Sequence, residues 1–360
     1  MNRVGRAVAT IDLQALKHNF SRIKEIAPQS FVLAMIKSNG YGHGLVRVAK
    51  TLPLANAFGV ACIDEALILR ENGIERPIVV MRGFFDEEEL KEFIHYKLVA
   101  VIYHSHQLNL LEKNKISSPL PVWLKIDTGM HRLGFSLEKV ASAYERLSTC
   151  PLVQKPIGLM THLADADNKD RLFTKWQINQ FKQIVKDRDA PKSIVNSAGI
   201  LSYSTAFLDW IRPGIILYGV SPFSWETGAK QNLKPVMTLS ARIIAIKDCS
   251  PGEVVGYGCT WRSSKNTSIG IVGIGYGDGY PRHAPCGTPT LLHGKICPLI
   301  GRVSMDMIAI DLGRESKVKI GDEVVLWGHG LPVEQIAKQA ATISYELLCK
   351  ITQRVQFREK

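Results

Sequence analysis

Residues 31–37 read FVLAMIK, and residues 38–44 continue SNGYGHG. The apolar run does not alternate. A strand of that kind is covered on both faces, as strands of parallel sheets are. It stops abruptly at Lys37, and a glycine-rich turn follows.

Similar runs recur through the first 220 or so residues. Strands are expected at Phe31–Ile36, Phe58–Ala61, Pro77–Met81, Leu98–Ile102, Val122–Ile126, Ile157–Thr161, Ser193–Val195 and Trp210–Ile211. Helical patterns lie between them. Asp12 is placed to cap one that carries Leu13, Leu16, Phe20 and Ile23, and another carries Leu172, Trp176, Phe181 and Ile184. Eight strands alternating with helices favour a (β/α)8 TIM-type barrel over an open sheet. Residues 221–235, SPFSWETGAKQNLKP, read as a linker. Beyond it, runs such as LSARIIAI, IGIVGI and MIAIDL alternate and are separated by tight turns, the texture of a mostly antiparallel β domain. Short helices are expected around Val333–Ala341 and Tyr345–Ile351. The expected fold class is therefore α/β, a barrel over 1–235 followed by a C-terminal mostly antiparallel β domain over 236–360.

Composition narrows the class of function. The chain has 360 residues, 46% apolar and 22% charged, with seven cysteines and a net charge of +12. No CxxC pair occurs, so the thiols read as reduced and the chain as cytoplasmic. No apolar run reaches the roughly 18 residues of a membrane span, and the N-terminus lacks the apolar core of a signal peptide. The basic residues are dispersed, without a nucleic-acid-binding signature, and fit an enzyme that attracts anions.

Catalytic groups of a barrel stand at the C-terminal ends of its strands. Lys37 ends the first strand, Lys125 and Asp127 the fifth, His162 the sixth, Asn196 and Ser197 the seventh, and Arg212 the eighth; Arg132 lies in the loop after the fifth. Any one of these could simply mark where a strand meets solvent; so many together point to a site. A phosphate site is expected after strands seven and eight, where Ser197 offers a hydroxyl and Gly214 and Ile215 offer backbone N–H groups. A lysine in an apolar barrel mouth is a good Schiff-base former. With a phosphate cradle opposite, it suggests pyridoxal 5'-phosphate. The glycines of GYGHG follow the lysine, whereas a nucleotide P-loop needs them before it. GIGYGDG, residues 273–279, lacks the spacing of a dinucleotide fingerprint.

IKSNGYGHG, KIDTGMHRLGF, MTHLADAD, NSAG, RPGIILYG, VGYGCTW, GYGDGYPR and GRVSMDM occur in this order. With them the chain resembles the alanine racemase family from end to end. The resemblance implies a homodimer that uses pyridoxal phosphate to interconvert L- and D-alanine, supplying D-alanine for peptidoglycan. Each active site is completed by the β domain of the other subunit. It implies that Lys37 carries the cofactor and serves as the base for D-alanine, and that Tyr257 is the opposing base for L-alanine. Tyr41, Ser197, Gly214 and Ile215 match phosphate contacts, with Tyr276 close by. Arg212 matches the partner of the pyridine nitrogen, supported by His162. Arg132 and Met305 match residues around the substrate carboxylate, and Lys125 a lysine that is carbamylated in some members. Gln353 stands where some members carry a tyrosine that orients the catalytic one, and Ser304 where some carry cysteine. No metal is implied. The alternatives are a broader-range amino-acid racemase and a same-fold pyridoxal-phosphate decarboxylase. The decarboxylase would be expected to carry an acidic residue where Arg212 stands. A non-catalytic cofactor-binding barrel would lack the second domain.

Overall fold

The computed structural model describes residues 7–114, 118–168, 172–314 and 317–360. Two compact units are present, Phe20–Leu217 and Met1–Asn19 with Tyr218–Lys360.

The first unit is a closed barrel of eight parallel strands: Phe31–Met35, Ala57–Val60, Ile78–Val80, Val99–Ile102, Leu120–Lys125, Val153–Met160, Lys192–Ser193 and Trp210–Ile211. Closure is made by the pairs Phe31↔Trp210 and Val32↔Ile211. Inside the barrel, large residues are matched to small ones. A β-carbon on Gly158 would lie 2.5 Å from the Trp123 ring, and one on Gly59 2.5 Å from Met35 Sδ. The glycines thus leave the room those side chains occupy. The seventh strand is shorter than expected and ends before Ile194. The Ile194 and Val195 carbonyls are instead taken by the Arg212 side chain and N–H, at 3.0 Å each.

The second unit is built on an eight-stranded sheet. Its long strand, Met237–Cys249, pairs antiparallel with Val8–Ile11, Glu323–Trp327 and Thr267–Val272. Val8–Ile11 also pairs in parallel with Gln356–Glu359. The first strand of the chain therefore belongs to this sheet, whereas a division at 235/236 would have left it with the barrel. Asp12 then caps the next helix through Oδ1, which accepts from the Ala15 N–H at 2.8 Å.

Residues 221–235 are not a free linker. Ser221, Phe223 and Leu233 are buried, and the Glu334 carboxylate accepts from the Ser221 and Gly228 N–H groups at 3.0 and 2.9 Å. The two closing helices span Val333–Gln339 and Ser344–Cys349. No helix among the described residues is long and apolar enough to cross a membrane.

Candidate active site

The first barrel strand delivers Lys37 into an unusual turn. Ser38, Asn39, Gly40 and Tyr41 all have positive φ, at 55°, 54°, 62° and 51°. The segment is a short left-handed helical turn, which β-carbons disfavour by about 1–2 kcal/mol per residue. Several bonds hold it. Glu65 accepts from the Asn39 N–H at 3.1 Å through one oxygen and from the Ala61 N–H at 2.8 Å through the other. Asn39 Oδ1 accepts from the Leu45 N–H at 2.9 Å.

The reversed hand carries Tyr41 inward, where it is buried. A β-carbon on Gly214 would lie 2.4 Å from the Tyr41 hydroxyl. The Gly214 N–H donates to Ser197 Oγ at 2.9 Å. Asn196 fixes the backbone before Ser197 by accepting from the Gly199 N–H at 3.0 Å. Two hydroxyls thus converge on a backbone with no side chain, followed directly by Ile215. The donors and the missing β-carbon fit a phosphate.

A cluster of cations occupies the same unit. Arg212, only 3% exposed, donates through Nη1 to Ser193 Oγ at 2.5 Å and through Nη2 to the Thr161 and Ile194 carbonyls. Burial brings its pKa down to about 10, so it stays charged at neutral pH. Lys125, 5% exposed, falls to about 8, through burial first and then the charges of Arg212, Arg132 and Lys37. The same cations, after burial, hold His162 well below its ordinary value and therefore neutral. The Arg212 donors go elsewhere than His162, whose link to Arg212 is electrostatic.

The Asp127 carboxylate acts on Lys125 from nearby, and it is engaged in its own loop. Its Oδ1 accepts from the Gly129 and His131 N–H groups at 2.9 and 3.1 Å. The turn exposes Arg132. A buried or half-buried set of Lys37, Lys125, His162 and Arg212, with Arg132 near, favours an anionic ligand. Among the described residues no group of three or more His, Cys, Asp or Glu could hold a metal ion.

The second unit carries the other expected residues, and all are open to solvent: Tyr257 is 69% exposed, Tyr276 40% and Met305 52%. Tyr257 begins a turn set by Gly256 and Gly258, both at φ 74°. Tyr276 and Met305 are brought together by the backbone, for the Tyr276 N–H donates to the Ser304 carbonyl at 3.0 Å and the Gly277 N–H to the Met305 carbonyl at 2.9 Å. Gln353 is exposed. Its neighbour Arg354 braces these turns, with Nε 3.2 Å from Asp278 and Nη2 2.6 Å from Asp306.

Three residues of the barrel site escaped sequence reading. Glu65 reads as an ordinary acidic residue in the first turn of a helix, and Thr128 and Gln177 as surface polar residues. The IDEA pattern after a strand is the hint of Glu65, and Thr128 lies within KIDTGMHRLGF without being singled out; nothing signals Gln177.

Comparison with known proteins agrees with this arrangement. Residues 11–222 match the family described as alanine racemase, N-terminal domain, and residues 236–359 that described as alanine racemase, C-terminal domain. The alanine racemase of Coxiella burnetii (strain RSA 331 / Henzerling II) is 63% identical over 361 residues, covering 99% of each chain. That of Nitrosococcus oceani is 50% identical over 350 residues, covering 96% of this chain and 97% of its own. The crystal structure of the biosynthetic alanine racemase from Pseudomonas aeruginosa superposes with a TM-score of 0.95 at 41% identity, covering 99% of both chains. On domain content, full-length identity and backbone alike, the chain belongs to the alanine racemase family.

Proposed function

We propose that the protein interconverts L- and D-alanine with pyridoxal 5'-phosphate, using Lys37 and Tyr257 as bases on opposite faces of the substrate. The observation that carries this is the cradle of Tyr41, Ser197 and Gly214 in the same barrel mouth as Lys37 and a buried arginine. When bound, pyridoxal phosphate condenses with amines and draws electron density from the α-carbon, making its C–H bond acidic. Lys37 holds the cofactor and moves the proton on the D face. Tyr257 moves the proton on the L face. Tyr41, Ser197, Gly214 and Ile215 bind the phosphate, with Tyr276 beside it. Arg132 and Met305 orient the substrate carboxylate.

With the cofactor bound, Arg212 would be the partner of its ring nitrogen. A guanidinium only donates, so Arg212 would not accept a proton from the ring and would favour its unprotonated form. An arginine in that place would suit racemisation better than decarboxylation or transamination. His162, held neutral, adds no charge near the ring. Lys125, partly unprotonated near pH 8, is able to react with carbon dioxide to form a carbamate, an anion that would brace Arg132.

The active unit is a homodimer in which Tyr257, Tyr276 and Met305 serve the partner's cofactor. Their exposure in the single chain supports use by a second copy. All seven cysteines are free, which suits a reducing cytoplasm where D-alanine is made for peptidoglycan.

The test is spectroscopic. The purified protein should absorb near the visible, borohydride should fix the cofactor to Lys37, and L-alanine should yield D-alanine. A colourless protein that pyridoxal phosphate does not reconstitute would overturn the reading.

A further inference from the structure

Gln177 lies on the Leu172–Ile184 helix after the sixth barrel strand and is 0% exposed. A buried amide must find partners for both its carbonyl and its N–H groups. Oε1 accepts from the Ala164 N–H at 2.9 Å. Nε2 donates to Thr128 Oγ1 and to the His162 carbonyl, each at 3.3 Å. Thr128 Oγ1 is 2.7 Å from Thr161 Oγ1, and the Thr161 carbonyl accepts from Arg212 Nη2. One buried chain of hydrogen bonds therefore runs from the Arg212 guanidinium through Thr161 and Thr128 to Gln177. It ends on the backbone at both sides of Leu163.

The same helix steadies the loop that carries Arg132. Phe173 and Trp176 stack at 5.6 Å, and a β-carbon on Gly129 would lie 3.0 Å from each ring. Gly129 adopts φ 118°, so the loop follows a path that favours glycine, directly under the two rings. Thr128 adjoins Gly129 in that loop. The helix thus contacts the loop twice, through Gln177 and through the aromatic pair, and Gln177 also donates to the His162 carbonyl.

We infer that Gln177 is a positioning residue for the racemisation, fixing the Arg132 loop against His162 and Arg212. The inference rests on the reading of Arg132 and Arg212 as the carboxylate and ring-nitrogen partners. A satisfied buried network is rigid. Arg132 itself is exposed and takes its position from the loop. Without the Gln177 amide, the Thr128 and Ala164 ends of the chain lose their common partner. The loop then keeps the Thr128–Thr161 bond toward Arg212 but loses its hydrogen-bonded tie to the helix and to the His162 backbone. A misplacement of about 1 Å in a substrate-holding group lowers turnover by as much as 10²-fold.

The experiment uses holoenzyme and propionate, a carboxylate that lacks the amine. Propionate binding is read from the change it makes in the cofactor absorbance, alongside kcat and KM for both alanine enantiomers and the unfolding midpoint. Gln177→Met should weaken propionate binding and raise KM by about tenfold, with the cofactor spectrum before propionate unchanged. Gln177→Glu keeps the acceptor for Ala164 and loses the donor; it should fall between Met and wild type, and it replaces Gln177→Met if that variant does not fold. If propionate binding and KM stay within twofold in a folded variant, while Arg132→Ala abolishes propionate binding, the positioning role is wrong. If Arg132→Ala also leaves propionate binding unchanged, the Arg132 assignment fails, and the inference with it.

Discussion

The hydroxyl of Tyr41 stands 2.4 Å from where the β-carbon of an alanine at position 214 would be. Gly214 does not have positive φ, so the conflict is one of space alone. Gly214→Ala should push Tyr41 out of the cradle while leaving the backbone path intact. Loss of one hydrogen bond to a charged phosphate is worth roughly 1.5–3 kcal/mol. The affinity of cofactor-free protein for pyridoxal phosphate should therefore drop by about 10- to 100-fold. Absorbance titration measures it, and an affinity within twofold of wild type would remove Tyr41 from the cradle.

The left-handed turn after Lys37 makes a prediction of opposite sign. Ser38 is exposed and sits at φ 55°, ψ 52°. Glycine adopts that conformation freely but loses more entropy on folding. Balancing the two, Ser38→Gly should stabilise the protein by roughly 0.5–1 kcal/mol, and Ser38→Val should destabilise it by more than about 1 kcal/mol. An ordinary right-handed helix would respond to glycine with a loss. Denaturant melts of the two variants decide between the geometries.

How much of this was legible beforehand depended on what each residue had to do. The barrel strands were readable because burial on both faces demands near-continuous apolar runs, and FVLAM and LPVWLK have few other uses. The polar strand ends were readable from the same rule. Strand Val8–Ile11 was not, because its partners in Met237–Cys249 and Gln356–Glu359 lie at the far end of the chain. The left-handed turn was hidden because neither Ser38 nor Tyr41 prefers that conformation; tertiary bonds from Glu65 hold part of it. The Gln177 network was hidden because a glutamine in an amphipathic helix usually faces water.

Lys125 gives the pH dependence. Its pKa is about 8 in the fold against an ordinary 10.5, so between those values the unfolded chain binds more protons and stability rises with pH. Below pH 8 the buried charge opposes folding by on the order of 3 kcal/mol. In buffer stripped of carbon dioxide, where the amine is unmodified, Lys125→Met should raise the unfolding midpoint at pH 7, and the gain should shrink as pH climbs from 8 toward 10.5. With 13C-labelled bicarbonate, wild type should give a carbamate carbonyl resonance that Lys125→Met lacks. If stability of the variant tracks wild type at every pH, the Lys125 amine is not buried as a cation.

Arg212→Glu places a carboxylate at the ring-nitrogen site, where it can keep the nitrogen protonated. Racemisation should fall by roughly 100-fold or more, and slow transamination or a long-wavelength absorbance band should appear with alanine. Because Arg212 also binds Ser193, Thr161 and Ile194, Arg212→Lys controls for folding. Unchanged racemisation and no new band in a folded Arg212→Glu would mean that the guanidinium does not face the ring.

The two bases can be separated by mixing subunits. Lys37→Ala removes the cofactor attachment and one base together, and should abolish turnover in both directions, with methylamine restoring a part. Tyr257→Phe leaves Lys37 untouched, so the cofactor spectrum should persist. Exchange of the L-alanine α-proton should nearly vanish while exchange from D-alanine continues. If each Tyr257 serves the partner's barrel, a heterodimer of the two variants has one site with both defects. Its other site pairs wild-type Lys37 with wild-type Tyr257. Co-expressed variants, with the heterodimer isolated by two tags, should then regain up to about half the wild-type activity per dimer, since additive, independent sites are expected. If Tyr257 serves its own subunit, every site in the heterodimer carries one defect, and the mixture stays as inactive as its parents.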